Sequence, residues 1–209
     1  MTDIVLYDYW RSSAAYRLRI ALNLAGMPFD SVPVDLVKGE HLEEANAARN
    51  PQRLVPSMEI GGQMLTQSLA IIEYLHDAGH YFFLPQDILG RQRVRALSYA
   101  IAMEIHPVCN LSVARYATEN SGGGITMASW MQHFIPKGLR GVEAMLRDGD
   151  RFMHGDSVTM ADICLMPQIY NALRWEVEMD AFPGIMARYA ALKDIPEVAA
   201  AHPDRFKPD

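Results

Sequence analysis

Up to residue 78 the chain alternates short β-like runs with helical ones, and beyond residue 91 no strand-like run recurs. That change of pattern restricts the chain to a small α/β domain followed by an all-helical one. Ile4-Val5-Leu6-Tyr7 predicts a strand, and residues 16–25 predict a helix that Gly26 and Pro28 end. Residues 31–36 carry Val32, Val34 and Leu36 at period two, the mark of a second strand. Residues 40–49 look helical and stop at Asn50-Pro51. Residues 57–60 and 63–66 flank Gly61-Gly62 as a hairpin, and residues 68–78 form a further helix. A connector over 79–87 holds Tyr81, Phe82, Phe83 and Pro85 and is expected to pack. Helical runs then cover 91–118, 125–147, 159–176 and 184–193, and an extended tail follows over 202–209. The resulting division is 1–83 and 88–209.

Composition narrows the function. With 209 residues, half of them hydrophobic, the chain can bury a sizeable core. The formal charge of −6 argues against a general nucleic-acid binder, which needs a basic face. Cys109 and Cys164 are the only cysteines, too few for a disulfide framework and unsuited to a metal site, so a reduced, cytoplasmic setting is expected. Met1-Thr2-Asp3 reads as no signal peptide, and no uncharged apolar run is long enough to span a bilayer.

Arg11-Ser12-Ser13-Ala14-Ala15-Tyr16-Arg17 lies between the first strand and the first helix. Two hydroxyls and an arginine therefore collect where backbone N–H groups have no intrahelical partner and the helix dipole is positive. Such a place suits an anion, although serine there also serves as a plain cap. Val55-Pro56 precedes the hairpin. A cis bond there would turn the Val55 backbone outward to pair with an extended peptide-like ligand, whereas an ordinary trans proline opening a strand is the commoner case. Ser68 opens the third helix after Gln67, which is either a capping arrangement or a second anion site.

Taken in order, these pieces resemble the glutathione transferase family, whose fold is an α/β thioredoxin-like N-terminal domain plus an all-α C-terminal domain. The family's cis-proline matches Pro56, and its pair for the γ-glutamyl carboxylate matches Gln67-Ser68. Its helical-domain signature matches Gly155-Asp156-Ser157-Val158-Thr159-Met160-Ala161-Asp162, in which Thr159 and Asp162 also spell a capping box. Tyr9-Trp10-Arg11-Ser12-Ser13 with Tyr16-Arg17-Leu18-Arg19-Ile20 resembles the zeta class, which includes maleylacetoacetate and maleylpyruvate isomerases. So do Arg91-Gln92-Arg93-Val94-Arg95, Ile105-His106-Pro107 with Asn110, and Met166-Pro167-Gln168. One departure stands out: the class reads Ser-Ser-Cys in the turn, and this chain has Ala14.

The resemblance implies glutathione as cofactor and a maleyl-type diacid as substrate. The thiolate adds to the cis double bond, the bond rotates, and elimination restores it as trans. Helix-start N–H groups and a serine hydroxyl would keep the thiol ionised, with Ser12 as donor and Ser13 second. Arg11 and Arg174 would steer the carboxylates and the developing charge. By resemblance Ser12, Ser13, Ala14, His41, Val55, Gln67, Ser68, His106, Asn110 and Ser112 line the glutathione site. Arg17 is expected to fix the turn through an acid, Arg19 to be structural, and Tyr7 to be buried in its strand. No metal is implied, and the family implies a homodimer. Two other readings remain: a transferase or dehalogenase of small haloacids, against which the missing thiol at Ala14 counts, and a non-catalytic glutathione-binding module, against which the retained Ser12 and Arg11 count.

Overall fold

The computed structural model describes residues 3–208. Two compact units emerge. One runs to Phe83 and takes in the segment from Asp194 onward; the other spans Leu84–Lys193.

The first unit is built on a four-stranded sheet. β1 (Ile4–Asp8) and β2 (Asp30–Pro33) are parallel and joined through α1 (Ser13–Leu24). β3 (Ser57–Ile60) lies antiparallel to β1 on its other side, and β4 (Gln63–Thr66) closes the order β2-β1-β3-β4. Gly61 and Gly62 both take positive φ, 55° and 74°, as a two-residue hairpin turn requires. A 3-10 turn (Glu40–Leu42), α2 (Glu44–Arg49), α3 (Ser68–Asp77) and α9 (Pro196–Ala200) complete the unit. α1 is buried from Ala15 through Leu22 because it packs against α3 on one side and α9 on another.

The structure departs from the sequence reading here in four places. β2 is an exposed edge strand that ends at Pro33 rather than Leu36, because proline offers no N–H and Asp35 then folds the chain back by accepting from the Val37 and Lys38 N–H groups. The helix expected over 40–49 is split by the extended backbone of Glu43. Tyr7 is only half-buried and carries the Arg49 guanidinium 4.1 Å from its ring centre. The tail expected to be extended from residue 202 instead holds a 3-10 turn (Pro203–Arg205), and it follows directly on α9. It belongs to the first unit, where Phe206 stacks on Phe29.

The second unit is all helix: α4 (Ile88–Tyr99), α5 (Leu111–Glu119), α6 (Met127–Ala144), α7 (Met160–Arg174) and α8 (Pro183–Lys193). α7 is buried on all faces from Met160 to Ile169, which makes it the axis of the unit. The single helix expected over 91–118 is interrupted. α4 runs into a π-helical turn (Ala100–Ile105), Pro107 follows, and Asn110 restarts the chain as α5. Among the described residues, no helix is long and apolar enough to cross a membrane, and no group of three His, Cys, Asp or Glu could hold a metal ion.

Candidate active site

The sheet register gathers three segments at one end. Ser57 pairs with Tyr7 and with Thr66, so the residues just beyond each strand (Tyr9–Ser12, Val55-Pro56 and Gln67-Ser68) fall at the same edge of the first unit. The Val55-Pro56 bond is cis, as the family resemblance implied and against the commoner trans form.

The turn after β1 is closed by the Ser12 N–H donating to the Tyr9 carbonyl at 2.8 Å. Ser12 is the N-cap of α1, with extended backbone (φ −65°, ψ 120°), and its Oγ accepts from the Ala15 N–H at 3.2 Å. A hydroxyl that accepts a cap bond keeps its own hydrogen for a second partner. Capping and donation to an anion are therefore compatible at Ser12. Ser13 and Ala14 occupy the first two helical positions, whose N–H groups have no partner within the helix. The first turn of α1 carries no acidic residue to oppose an incoming anion. Ala14 is half-buried and brings no sulfur to the turn. Arg11 is held beside it: one guanidinium nitrogen donates to the Tyr9 hydroxyl at 3.0 Å, and the guanidinium lies 4.7 Å from the Trp10 ring centre. The arrangement combines a positive helix end, a hydroxyl donor and a fixed guanidinium, which suits a thiolate and a neighbouring carboxylate.

At the start of α3, Gln67 takes φ 68° and ψ 103°, a left-handed conformation that costs about 1–3 kcal/mol for a residue with a Cβ. Its amide donates to Gln52 at 2.7 Å. Ser68 is buried, and its Oγ accepts from Arg17 at 3.3 Å. Arg17, expected to fix the turn, is itself buried and reaches α3 through this hydroxyl. His41 lies in the 3-10 turn, where its carbonyl accepts from the Asn46 side-chain amide.

The remaining candidates lie in the second unit. His106 closes the π turn, its N–H donating to the Ile101 carbonyl. Asn110 caps α5, its Oδ1 accepting from the Ser112 N–H at 3.1 Å and from the Ser112 hydroxyl at 3.2 Å. Arg174 ends α7, exposed, donating to Asn171 and lying over the Trp175 ring. The resemblance's T-x-x-D signature is a working cap. Asp162 accepts from the Thr159 N–H, the Thr159 hydroxyl and the Met153 N–H, each at 2.8 Å.

Arg19 is structural, as the sequence reading expected. It is fully buried and paired with Asp8 at 2.5 Å. Burial pushes the Asp8 carboxyl up, and the adjacent guanidinium pulls it back down. The available signal was two arginines two apart inside an apolar helical run, only one of which can share a face with any given neighbour.

Comparison with known proteins agrees with this architecture. The glutathione S-transferase N-terminal domain matches residues 2–77, and the glutathione S-transferase C-terminal domain matches 109–202. A maleylacetoacetate isomerase from Rhizobium meliloti is 52% identical over 99% of both chains. A bacterial zeta-class maleylpyruvate isomerase, solved in holo form, superposes with a TM-score of 0.92 at 40% identity, covering 98% of this chain and 99% of that one. A maleylacetoacetate isomerase from Anaeromyxobacter dehalogenans, solved with glutathione in its active site, gives 0.87 at 39% identity over 99% and 97%. The chain belongs to the glutathione S-transferase family, and its likeness within that family is to the zeta class.

Proposed function

We propose that this protein is a glutathione-dependent cis–trans isomerase of a maleyl-type diacid, maleylacetoacetate or maleylpyruvate. The observation that carries the reading is the double use of Ser12, which caps α1 through its oxygen and retains a hydroxyl hydrogen at the positive helix end. When bound there, glutathione supplies a thiolate for reversible addition to the cis double bond.

The residues divide the work. Ser12 donates its hydroxyl to the sulfur, and the Ser13 and Ala14 N–H groups add positive potential, so the thiol ionises below its ordinary range. The buried Ser68 and the strained Gln67 hold the γ-glutamyl end at the start of α3. Val55 offers backbone to the cysteinyl part in the manner of one added strand. Arg11, steadied by the Tyr9 hydroxyl and the Trp10 ring, stabilises negative charge as it develops on the substrate. In the second domain Arg174 binds a substrate carboxylate, and His106, Asn110 and Ser112 border the tripeptide. His41 meets its glycine end. Residues 1–83 are the glutathione-binding part and the helical unit the substrate-binding part.

The protein acts in the cytoplasm as a homodimer. Both cysteines are buried and neither forms a disulfide, in keeping with a reducing compartment. On α4, Ile88 and Leu89 are 83% and 79% exposed beside a shallow groove of about 500 Å³ along Arg91, Arg95 and Tyr99, which suits contact with a second copy.

A spectrophotometric assay with maleylacetoacetate and maleylpyruvate, each with and without glutathione, tests the function. Isomerisation is expected only with glutathione, and Ser12→Ala combined with Ser13→Ala should abolish most of it. Turnover independent of glutathione, or an unchanged rate in the double variant, overturns the reading.

A further inference from the structure

Arg19 joins three separate parts of the first unit through one planar group. Its Nη1 donates to Asp8 at 2.5 Å, its Nη2 to the Trp10 carbonyl at 2.9 Å, and its Nε to the Ala201 carbonyl at 3.2 Å. The guanidinium carbon lies 5.3 Å from the Tyr16 ring centre and 4.6 Å from that of Phe206. Asp8 ends β1, Trp10 lies within the turn that presents Ser12, and Ala201 and Phe206 belong to the C-terminal segment. The same segment reaches the turn a second time, where the Lys207 ammonium lies 5.8 Å from the Trp10 ring centre, and Arg11 lies 4.7 Å from that ring.

A buried ion pair alone does not account for this geometry. Pairing with Asp8 uses one nitrogen; the other two hold backbone carbonyls, one of them two residues before Ser12. We infer that Arg19 is a positioning residue for the turn that activates the thiol, and that the segment Ala201–Lys207 acts on that turn through it. The inference rests on the proposed glutathione chemistry at Ser12. By fixing the Trp10 carbonyl, Arg19 sets the path of residues 10–12, and with it the aim of the Ser12 hydroxyl and the first N–H groups of α1. Small errors in such an aim weaken a donor steeply. Phe206 covers the guanidinium from the tail side, so the last residues of the chain help to hold the opening of the first helix.

The test uses the full-length protein and two variants. Arg19→Lys keeps the charge opposite Asp8, but one ammonium cannot reproduce the three-way planar fork. Phe206→Ala removes the covering ring and leaves the three hydrogen bonds in place. Ionisation of bound glutathione is followed by the ultraviolet absorbance of its thiolate as pH is varied. The kcat and the KM for glutathione are measured beside it, and circular dichroism reports folding. In folded Arg19→Lys the thiol titration is expected to move up by about one pH unit and kcat to fall about tenfold. The KM for glutathione should change less than about threefold, because the Gln67-Ser68 end is untouched. Phe206→Ala should move both quantities the same way by a smaller amount. A folded Arg19→Lys with unchanged titration and kcat makes Arg19 a core staple only and overturns the inference. If that variant does not fold, unchanged values in Phe206→Ala overturn it. A wild-type protein without a thiolate signal sinks the functional reading and this inference together; a normal wild-type signal with unaffected variants sinks this inference alone.

Discussion

Arg17, on α1, donates to the hydroxyl of Ser68, the first residue of α3, at 3.3 Å, and both side chains are buried. A hydroxyl that accepts from a guanidinium has its own hydrogen directed elsewhere. At the start of α3 that hydrogen and the helix N–H groups are suited to one carboxylate. Ser68→Ala should therefore raise the KM for glutathione about tenfold and leave kcat at saturation within about threefold. Steady-state kinetics at varied glutathione checks this. A loss confined to kcat would place Ser68 with the chemistry rather than with binding.

Two glycines on α6 should respond with opposite sign to the same change. A Cβ on Gly138 would stand 2.4 Å from Cγ1 and 2.7 Å from Cδ1 of Ile105, in the π turn. A Cβ on Gly141 meets nothing within 4 Å. Gly141→Ala should stabilise by about 0.5–1 kcal/mol through helix propensity. Gly138→Ala should destabilise by about 1–3 kcal/mol through overpacking. In an Ile105→Ala background the Gly138 change should become favourable, because the clash is gone and a void is filled. Denaturant unfolding of the four variants measures both signs.

Glu143 caps a helix from a distance. Its Oε1 accepts from the Gly184 N–H at 2.7 Å and its Oε2 from the Ile185 N–H at 2.8 Å, both in the first turn of α8. The carboxylate satisfies two donors and faces the positive helix end. Glu143→Ala should cost about 1–2 kcal/mol. Glu143→Gln should cost nearly as much, because the amide turns a donor toward one of the two N–H groups. Thermal unfolding of both variants checks the order; a silent Gln variant would mean that one accepted bond suffices.

The elements that could be read from the chain are those whose cause is local. Gly61-Gly62 between period-two runs declares a hairpin, and Ser12 before an apolar helical run declares a cap. What escaped depends on distant partners or on fine register. An apolar stripe at helical spacing does not tell an i+4 bond from the i+5 bonds of the Ala100–Ile105 turn, so one long helix was expected where Pro107 and Asn110 end one and begin another. Leu36 has strand periodicity, but Pro33 and the Asp35 turn decide the strand's end. The positive φ of Gln67 has no signature in a glutamine. The candidate site was legible at Arg11–Ala14 and at Gln67-Ser68 because hydroxyls at helix starts are chemically distinctive. The support from Arg19 and the C-terminal segment was not, because Arg19 and Ala201 are separated by nearly the whole chain.

Asp162 gives the chain a pH signature. Its carboxylate is fully buried, and burial pushes it up to about 6 from an ordinary 3.8, although the N–H groups of Met153 and Thr159 and the Thr159 hydroxyl pull it back down. The folded protein thus holds this proton more tightly than the unfolded chain does. The group's stabilising contribution is full below about 4 and is lost as pH rises through about 6. Asp162→Asn removes the titration and turns an amide donor toward one of the three donors that the carboxylate now accepts, at a cost of about 2 kcal/mol near neutrality. Acidification from pH 7 to about pH 5 should widen that deficit, by about 1 kcal/mol for each unit below 6, because only the wild type gains from protonation. Paired melting curves of wild type and variant across that range measure it. A deficit that narrows on acidification would mean that the hydrogen bonds outweigh burial and hold the carboxyl below its ordinary value.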